Sequence, residues 1–176
     1  MYGSKQIAAH KYAVEHDYTH LFIVDAYDVF VLGTMEEALD KIPDKDVVLF
    51  NAESQVWPYS HWKPQYPVSG SKWNYLNGGA AFVSVDRFCK LFGENPINHT
   101  DNDQVNLARV FLDKRDQYNM KLDTNCDVFQ SVAFEDNDDF EYSTSTHRLI
   151  NLKNHTTPVI IHGNGGTDMS RVYNLL

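Results

Sequence analysis

Leu21-Phe22-Ile23-Val24-Asp25-Ala26-Tyr27-Asp28-Val29-Phe30 is the stretch on which the fold is decided. Four consecutive apolar residues, Leu21 to Val24, read as a strand buried on both faces, as inside a parallel or mixed sheet. The run ends in two carboxylates three residues apart. In open α/β sheets ligands bind beyond the carboxyl ends of the strands, which is where Asp25 and Asp28 fall. Residues i and i+3 of a regular strand point to opposite faces, so the two acids converge on one ion only if the chain turns at Ala26-Tyr27. Two acids on one hard cation leave coordination sites for water and a phosphate, which suits Mg²⁺ or Mn²⁺. Taken alone, the stretch fits equally well with Asp25 capping a turn and Asp28 solvated.

Upstream, Ser4 to about His16 reads as a helix that Ser4 could cap, and Asp17-Tyr18-Thr19 as the loop into the strand. Downstream, Thr34-Met35-Glu36-Glu37 has the capping-box pattern and opens a short helix ending before Pro43. Asp46 to Phe50 reads as a second buried strand. Helix, strand, helix, strand predicts an α/β sheet with crossover helices. Asn51 to Asn74 is irregular, with Trp57, Trp62, Trp73, Tyr59 and Tyr66 among three prolines. Such a loop either folds over a site, where flat aromatic faces suit sugars or bases, or packs on the domain by its own rings.

Leu76-Asn77-Gly78-Gly79 carries an Asn-Gly turn signal, and its small residues allow close approach of a ligand or another strand. Phe82 to Val85 reads as a strand and Asp86 to Phe92 as a helix capped by Asp86. Asp101-Asn102-Asp103-Gln104 opens a further helix, where acids suit the helix dipole. Cys126 to Phe129 reads as a short strand, and Glu135 to Asp139 as a solvated acidic loop. Pro158 to Ile161 is a buried strand that delivers His162-Gly163-Asn164-Gly165-Gly166-Thr167. A histidine at a strand end followed by glycines is either a metal ligand beside a phosphate cradle or a residue in a glycine turn.

With 176 residues the chain suffices for one domain, and neither a repeat nor a low-complexity tract interrupts it. A net charge of −9 disfavours recognition of duplex nucleic acid through a basic face. Cys89 and Cys126 make neither a disulfide framework nor a zinc site by spacing. Asn98-His99-Thr100 and Asn154-His155-Thr156 match the N-glycosylation triplet, which is common by chance. No apolar run spans a bilayer, and Met1-Tyr2-Gly3-Ser4-Lys5 lacks the apolar core of a signal peptide, so the expected location is by default cytoplasmic.

Taken in order, the segments Gly3-Ser4-Lys5, Val24-Asp25-Ala26-Tyr27-Asp28-Val29, Val48-Leu49-Phe50-Asn51-Ala52-Glu53 with Trp57-Pro58 and Tyr66-Pro67, Tyr75-Leu76-Asn77-Gly78-Gly79, Asp103-Gln104, Leu122-Asp123, Phe129-Gln130 and Pro158 to Gly165 form a set. Together they resemble the glycosyltransferase domain of the procollagen lysyl hydroxylases. That resemblance implies a GT-A-like, Rossmann-related mixed sheet flanked by helices. Residues 1–176 would be a single domain lacking the family's first strand-helix segment, which helps to hold base and ribose. It further implies that Asp25, Asp28 and His162 hold Mn²⁺ (or Mg²⁺) against the diphosphate of a UDP-sugar. Lys5, Tyr27, Trp57, Gly163 and Gly165 would lie on the donor side. Glu53, Asn77, Asp103 and Asn164 would serve catalysis and the acceptor. Two positions depart from the family pattern. Asn102-Asp103 stands where an acidic pair is usual, and Asp168 where a lysine is usual, an acid that would repel a diphosphate unless turned away.

The resemblance makes a metal-dependent hexosyltransferase the leading reading, acting from a UDP-sugar on a hydroxyl of a collagen-like hydroxylysine, another protein, a glycan or a nucleobase. A divalent ion would neutralise the leaving diphosphate, and carboxylates would orient or deprotonate the acceptor. A truncated, non-catalytic domain that binds metal or sugar nucleotide is the alternative. A phosphoester hydrolase using the same acids and histidine is the third reading, which the aromatic loop and Leu-Asn-Gly-Gly segment disfavour.

Overall fold

The helix upstream of the deciding stretch forms as α1 (Ser4–Glu15). Its cap is not Ser4: Gly3 occupies that position, and Ser4 Oγ bonds the His99 ring at 3.1 Å. The computed structural model describes residues 3–176 except the side chain of Asn137, so Met1 and Tyr2 lie outside the described residues.

Strand β1 (His20–Val24) runs antiparallel to β4 (Tyr75–Ser84) and stands at the edge of a four-stranded sheet. The expected burial on both faces is therefore incomplete. Leu21 and Ile23 pack into one apolar cluster and Phe22 into another, which explains the unbroken apolar run. The open edge leaves these residues only half-buried and Val24 exposed. The chain then bends over Ala26–Asp28 and enters β2 (Val29–Val31), a strand missed in the sequence, which belongs to a different sheet. The bend that two converging acids require is thus the step from one sheet to the next.

Thr34 caps α2 (Met35–Asp40), its Oγ1 accepting from Glu37 N at 3.1 Å. Buried β3 (Val48–Glu53) lies between antiparallel β4 and parallel β5 (Met120–Asp123), giving the order β1-β4-β3-β5. The second sheet has the order β2-β9-β6, with β9 (Ile160–His162) antiparallel to β2 and parallel to β6 (Phe129–Ser131). A hairpin of β7 (Phe140–Ser143) and β8 (Arg148–Asn151) stands apart from both. Helices α3 (Val85–Glu94), α4 (Asp103–Lys114) and the short α5 (Ser170–Tyr173) complete the α/β domain.

Four local expectations give way to tertiary context. Leu76-Asn77-Gly78-Gly79 is no turn but the interior of β4, and the register against β3 shifts there, between Phe50 and Asn51. A strand tolerates glycines where another element comes close. At Gly79 that element is His162, since a Cβ would fall 2.0 Å from its Cε1. Ser84, not Asp86, occupies the N-cap of α3. The strand expected from Cys126 starts only at Phe129, because the Asp123 carboxylate accepts from the backbone N–H of Asp127, Val128 and Phe129 and holds 123–128 as a tight loop. The acidic run is not simply solvated. Glu135 and Asp139 have buried carboxylates, each 2.5 Å from Lys72 Nζ. The aromatic segment divides its labour: Trp73 and Tyr66 are buried, whereas Trp57 and Tyr59 stay exposed.

Candidate metal centre and cleft

Val29 pairs with His162 across β2 and β9, which brings the histidine beside the bend that carries both acids. His162 Nε2 lies 3.6 Å from Asp25 Oδ2 and 3.5 Å from Asp28 Oδ2. One ligand atom from each of the three residues lies within 4.8 Å of the other two. The ring is buried while the acids are half-exposed, so the group opens outward.

The second nitrogen of His162 is held by Asn77. Asn77 Oδ1 accepts from Gly79 N at 2.9 Å and stands 3.0 Å from His162 Nδ1. An amide oxygen only accepts, so Nδ1 carries a proton and Nε2 is the nitrogen turned to the two carboxylates. Nε2 is buried and has no hydrogen-bond partner among the described residues. One ring nitrogen and two carboxylates drawn this close form a ligand set, and a divalent cation in place of a ring proton would satisfy all three. The imidazole also holds the Asp28 carboxyl below its ordinary range, against the opposing effect of burial. Lys5 provides a partial counter-charge, with Nζ 2.6 Å from Asp25 Oδ1 and 2.7 Å from Gly78 O.

These groups line a cleft of about 660 Å³. Glu53, Trp57, Asn77, Asp103, Asn164 and Gly165 line it together with Lys5, Asp25, Asp28 and His162. Two residues expected on the donor side do not. Tyr27 is 95% exposed and Gly163 is outside the lining. Gly163 has a packing reason to be glycine, since a Cβ would lie 2.2 Å from Met169 Sδ, while its N–H donates to Asp28 O at 2.8 Å. Asp168 is outside the lining too, and its Oδ1 accepts from Ser170 N at 2.9 Å. Asn102 caps α4, its Oδ1 accepting from Val105 N at 3.1 Å.

In the same cleft Asn164 Nδ2 donates to Glu53 Oε2 at 2.9 Å, and Asn164 Oδ1 accepts from Ser131 Oγ at 2.7 Å. Burial pushes the Glu53 carboxyl up to about 7, against the donors Asn77 and Asn164. A carboxyl whose pKa rises on folding stabilises the fold below its unfolded value near 4.5 and loses that contribution as pH climbs to about 7. Fully ionised, Glu53 then costs about 3 kcal/mol. Glu53→Gln should melt several degrees above the parent at pH 8, with the gain shrinking to nothing near pH 4. A gain independent of pH would show that Glu53 is not the titrating group.

Sequence reasoning passed over several cleft residues. Gln104 spans the β4 backbone, accepting from Gly78 N at 2.8 Å and donating to Leu76 O at 2.5 Å. Its signals were its place beside Asp103 at a helix start and in the Asp103-Gln104 segment of the resemblance. Gln55, Val56 and Phe134 also line the cleft, and nothing local marked them.

Among the described residues no helix is long and apolar enough to cross a membrane. A family model described as the PLOD GT domain matches residues 5–175. Procollagen-lysine,2-oxoglutarate 5-dioxygenase 1 of Rattus norvegicus is 34% identical over 170 residues, covering 94% of this chain and 23% of that protein. The Drosophila melanogaster procollagen-lysine,2-oxoglutarate 5-dioxygenase is 33% identical over 154 residues, 84% of this chain and 21% of its own length. The human multifunctional procollagen lysine hydroxylase and glycosyltransferase LH3 is 30% identical over 167 residues, 93% and 22% of the two chains. The chain thus spans less than a quarter of the length of these relatives. The match over nearly the whole chain, and the mixed α/β architecture that accompanies it, place this chain in the PLOD GT-domain family.

Proposed function

We propose that this domain transfers a hexose from a UDP-sugar to an acceptor hydroxyl with the help of a divalent metal. The observation that carries the proposal is the buried, unpartnered Nε2 of His162 grouped with the carboxylates of Asp25 and Asp28. Asp25, Asp28 and His162 would hold the ion. One nitrogen beside two carboxylate oxygens suits Mn²⁺ better than Mg²⁺, which prefers oxygen alone. When bound, the ion would neutralise the diphosphate that leaves with UDP.

The chain's own residues supply the rest. Lys5 adds positive charge at the metal end, and Asn77 keeps His162 in the tautomer that a ligand needs. Glu53, with its pKa near 7, is suited to take the proton from an acceptor hydroxyl, oriented by Asn164. Asp103 stands across the same cleft as a second acceptor-side carboxylate, and Trp57 offers a flat exposed face. Asp168, turned towards Ser170, leaves the metal end without the repulsion its sequence position suggested. The relatives' names favour a collagen lysine derivative as acceptor.

The test is a calorimetric titration of UDP into the protein with Mn²⁺ and again with EDTA. Binding should require the metal, with a dissociation constant in the micromolar range. A folded protein that binds UDP in neither condition would instead be a non-catalytic member of the family.

A further inference from the structure

Phe134 is an aromatic side chain of the cleft that the reading above leaves without a task. It is 72% exposed, yet its backbone has φ of 61°, the left-handed region that a bulky residue rarely enters. An isolated exposed phenylalanine is ordinary. This one is held from both sides: Ala133 before it is buried, and Glu135 after it has its carboxylate against Lys72. The ring therefore projects from fixed backbone and not from a loose loop tip. Its far edge stands opposite Gly165, where a Cβ would lie 3.6 Å from Phe134 Cζ, so the missing side chain leaves that edge uncovered. Neither the exposure of the ring nor its backbone geometry favours folding, and both present an apolar face in a cleft that also holds Trp57, Glu53 and Asn164.

We infer that Phe134 is a stacking platform for a pyranose ring. The C–H face of the sugar lies on the phenyl ring, while its hydroxyls reach Glu53 and Asn164 in the same cleft. The ligand class rests on the glycosyl-transfer reading, but the test does not depend on transfer.

Saturation-transfer NMR with the methyl glycosides of galactose and glucose, with and without UDP and Mg²⁺, reads the contact directly. Wild type should give a difference signal on the ring C–H protons of at least one glycoside. Phe134→Trp should keep it, and Phe134→Ala should lose it at least threefold. Phe134→Asn, whose side chain tolerates the left-handed backbone, serves as the second variant and should also lose it. No signal in wild type, or a loss of less than threefold in either truncated variant, overturns the inference. Mn²⁺-dependent UDP binding, measured on the same samples, reports separately on the donor site and should be unchanged in all three variants.

Discussion

Asp28→Asn is expected to weaken Mn²⁺ binding at least 100-fold and, with it, to abolish metal-dependent binding of UDP. Changes to residues that merely support a metal ligand already cost about 10–100-fold in affinity, and Asp28 would be a ligand itself. The substitution keeps the shape of the side chain and removes its charge. The structural part of the residue survives, because the contact with β9 runs through the Asp28 carbonyl and Gly163 N. The apo protein should therefore melt within about 2 °C of the parent, since the charge it loses is more than a third exposed. The increase in melting temperature on adding Mn²⁺, present in the parent by mass action, should vanish. Unchanged Mn²⁺ affinity in this variant would sink the assignment of the metal group.

Gly79→Ala should do more damage with a single methyl group. Its Cβ would lie 2.0 Å from Cε1 and 2.6 Å from Nδ1 of His162. The histidine has nowhere to retreat, because it is 2% exposed and its strand pairs with β2 on one side and β6 on the other. Either the ring swings out and gives up Asn77, or β4 shifts and strains the bonds of Asp25 N to Gly79 O and Gly79 N to Asn77 Oδ1. Overpacking of this kind costs about 3 kcal/mol, and a domain of this size should melt about 6–12 °C lower. Metal binding should fall as well, since both outcomes move a ligand. Gly78→Ala is the control. There the nearest atom is the flexible end of Leu107 at 3.0 Å, and a small effect is expected. A Gly79→Ala protein that melts with the parent and binds Mn²⁺ normally would show that the strand and ring can separate without cost.

Features governed by neighbours along the chain were legible in the sequence. The cap at Thr34, the end of an apolar strand at Asp25, the helix opened after Asn102 and the strand before His162 all depend on contacts within a few residues. So does the chemical inventory, because residue type alone says which groups offer lone pairs and which offer protons. The resemblance to a known domain added the ordering of those pieces. Features set by the meeting of distant strands were not legible. Gly78-Gly79 has the local signature of a turn, yet β3 pairs with the residues before it and β1 with those after it, and Gln104 and Asp25 bond its backbone. Glu135 sits in a run of acids that reads as solvated, yet Lys72 from the aromatic segment buries it. Phe134 has no local mark at all. The sequence alone determined that two carboxylates end one strand and a histidine ends another. Only the tertiary structure decided that these ends meet, that Asn77 assigns the proton of the histidine, and that glycine leaves room for its ring. The physical reason is that strand register and side-chain packing between segments far apart are collective, and no window of sequence contains both partners.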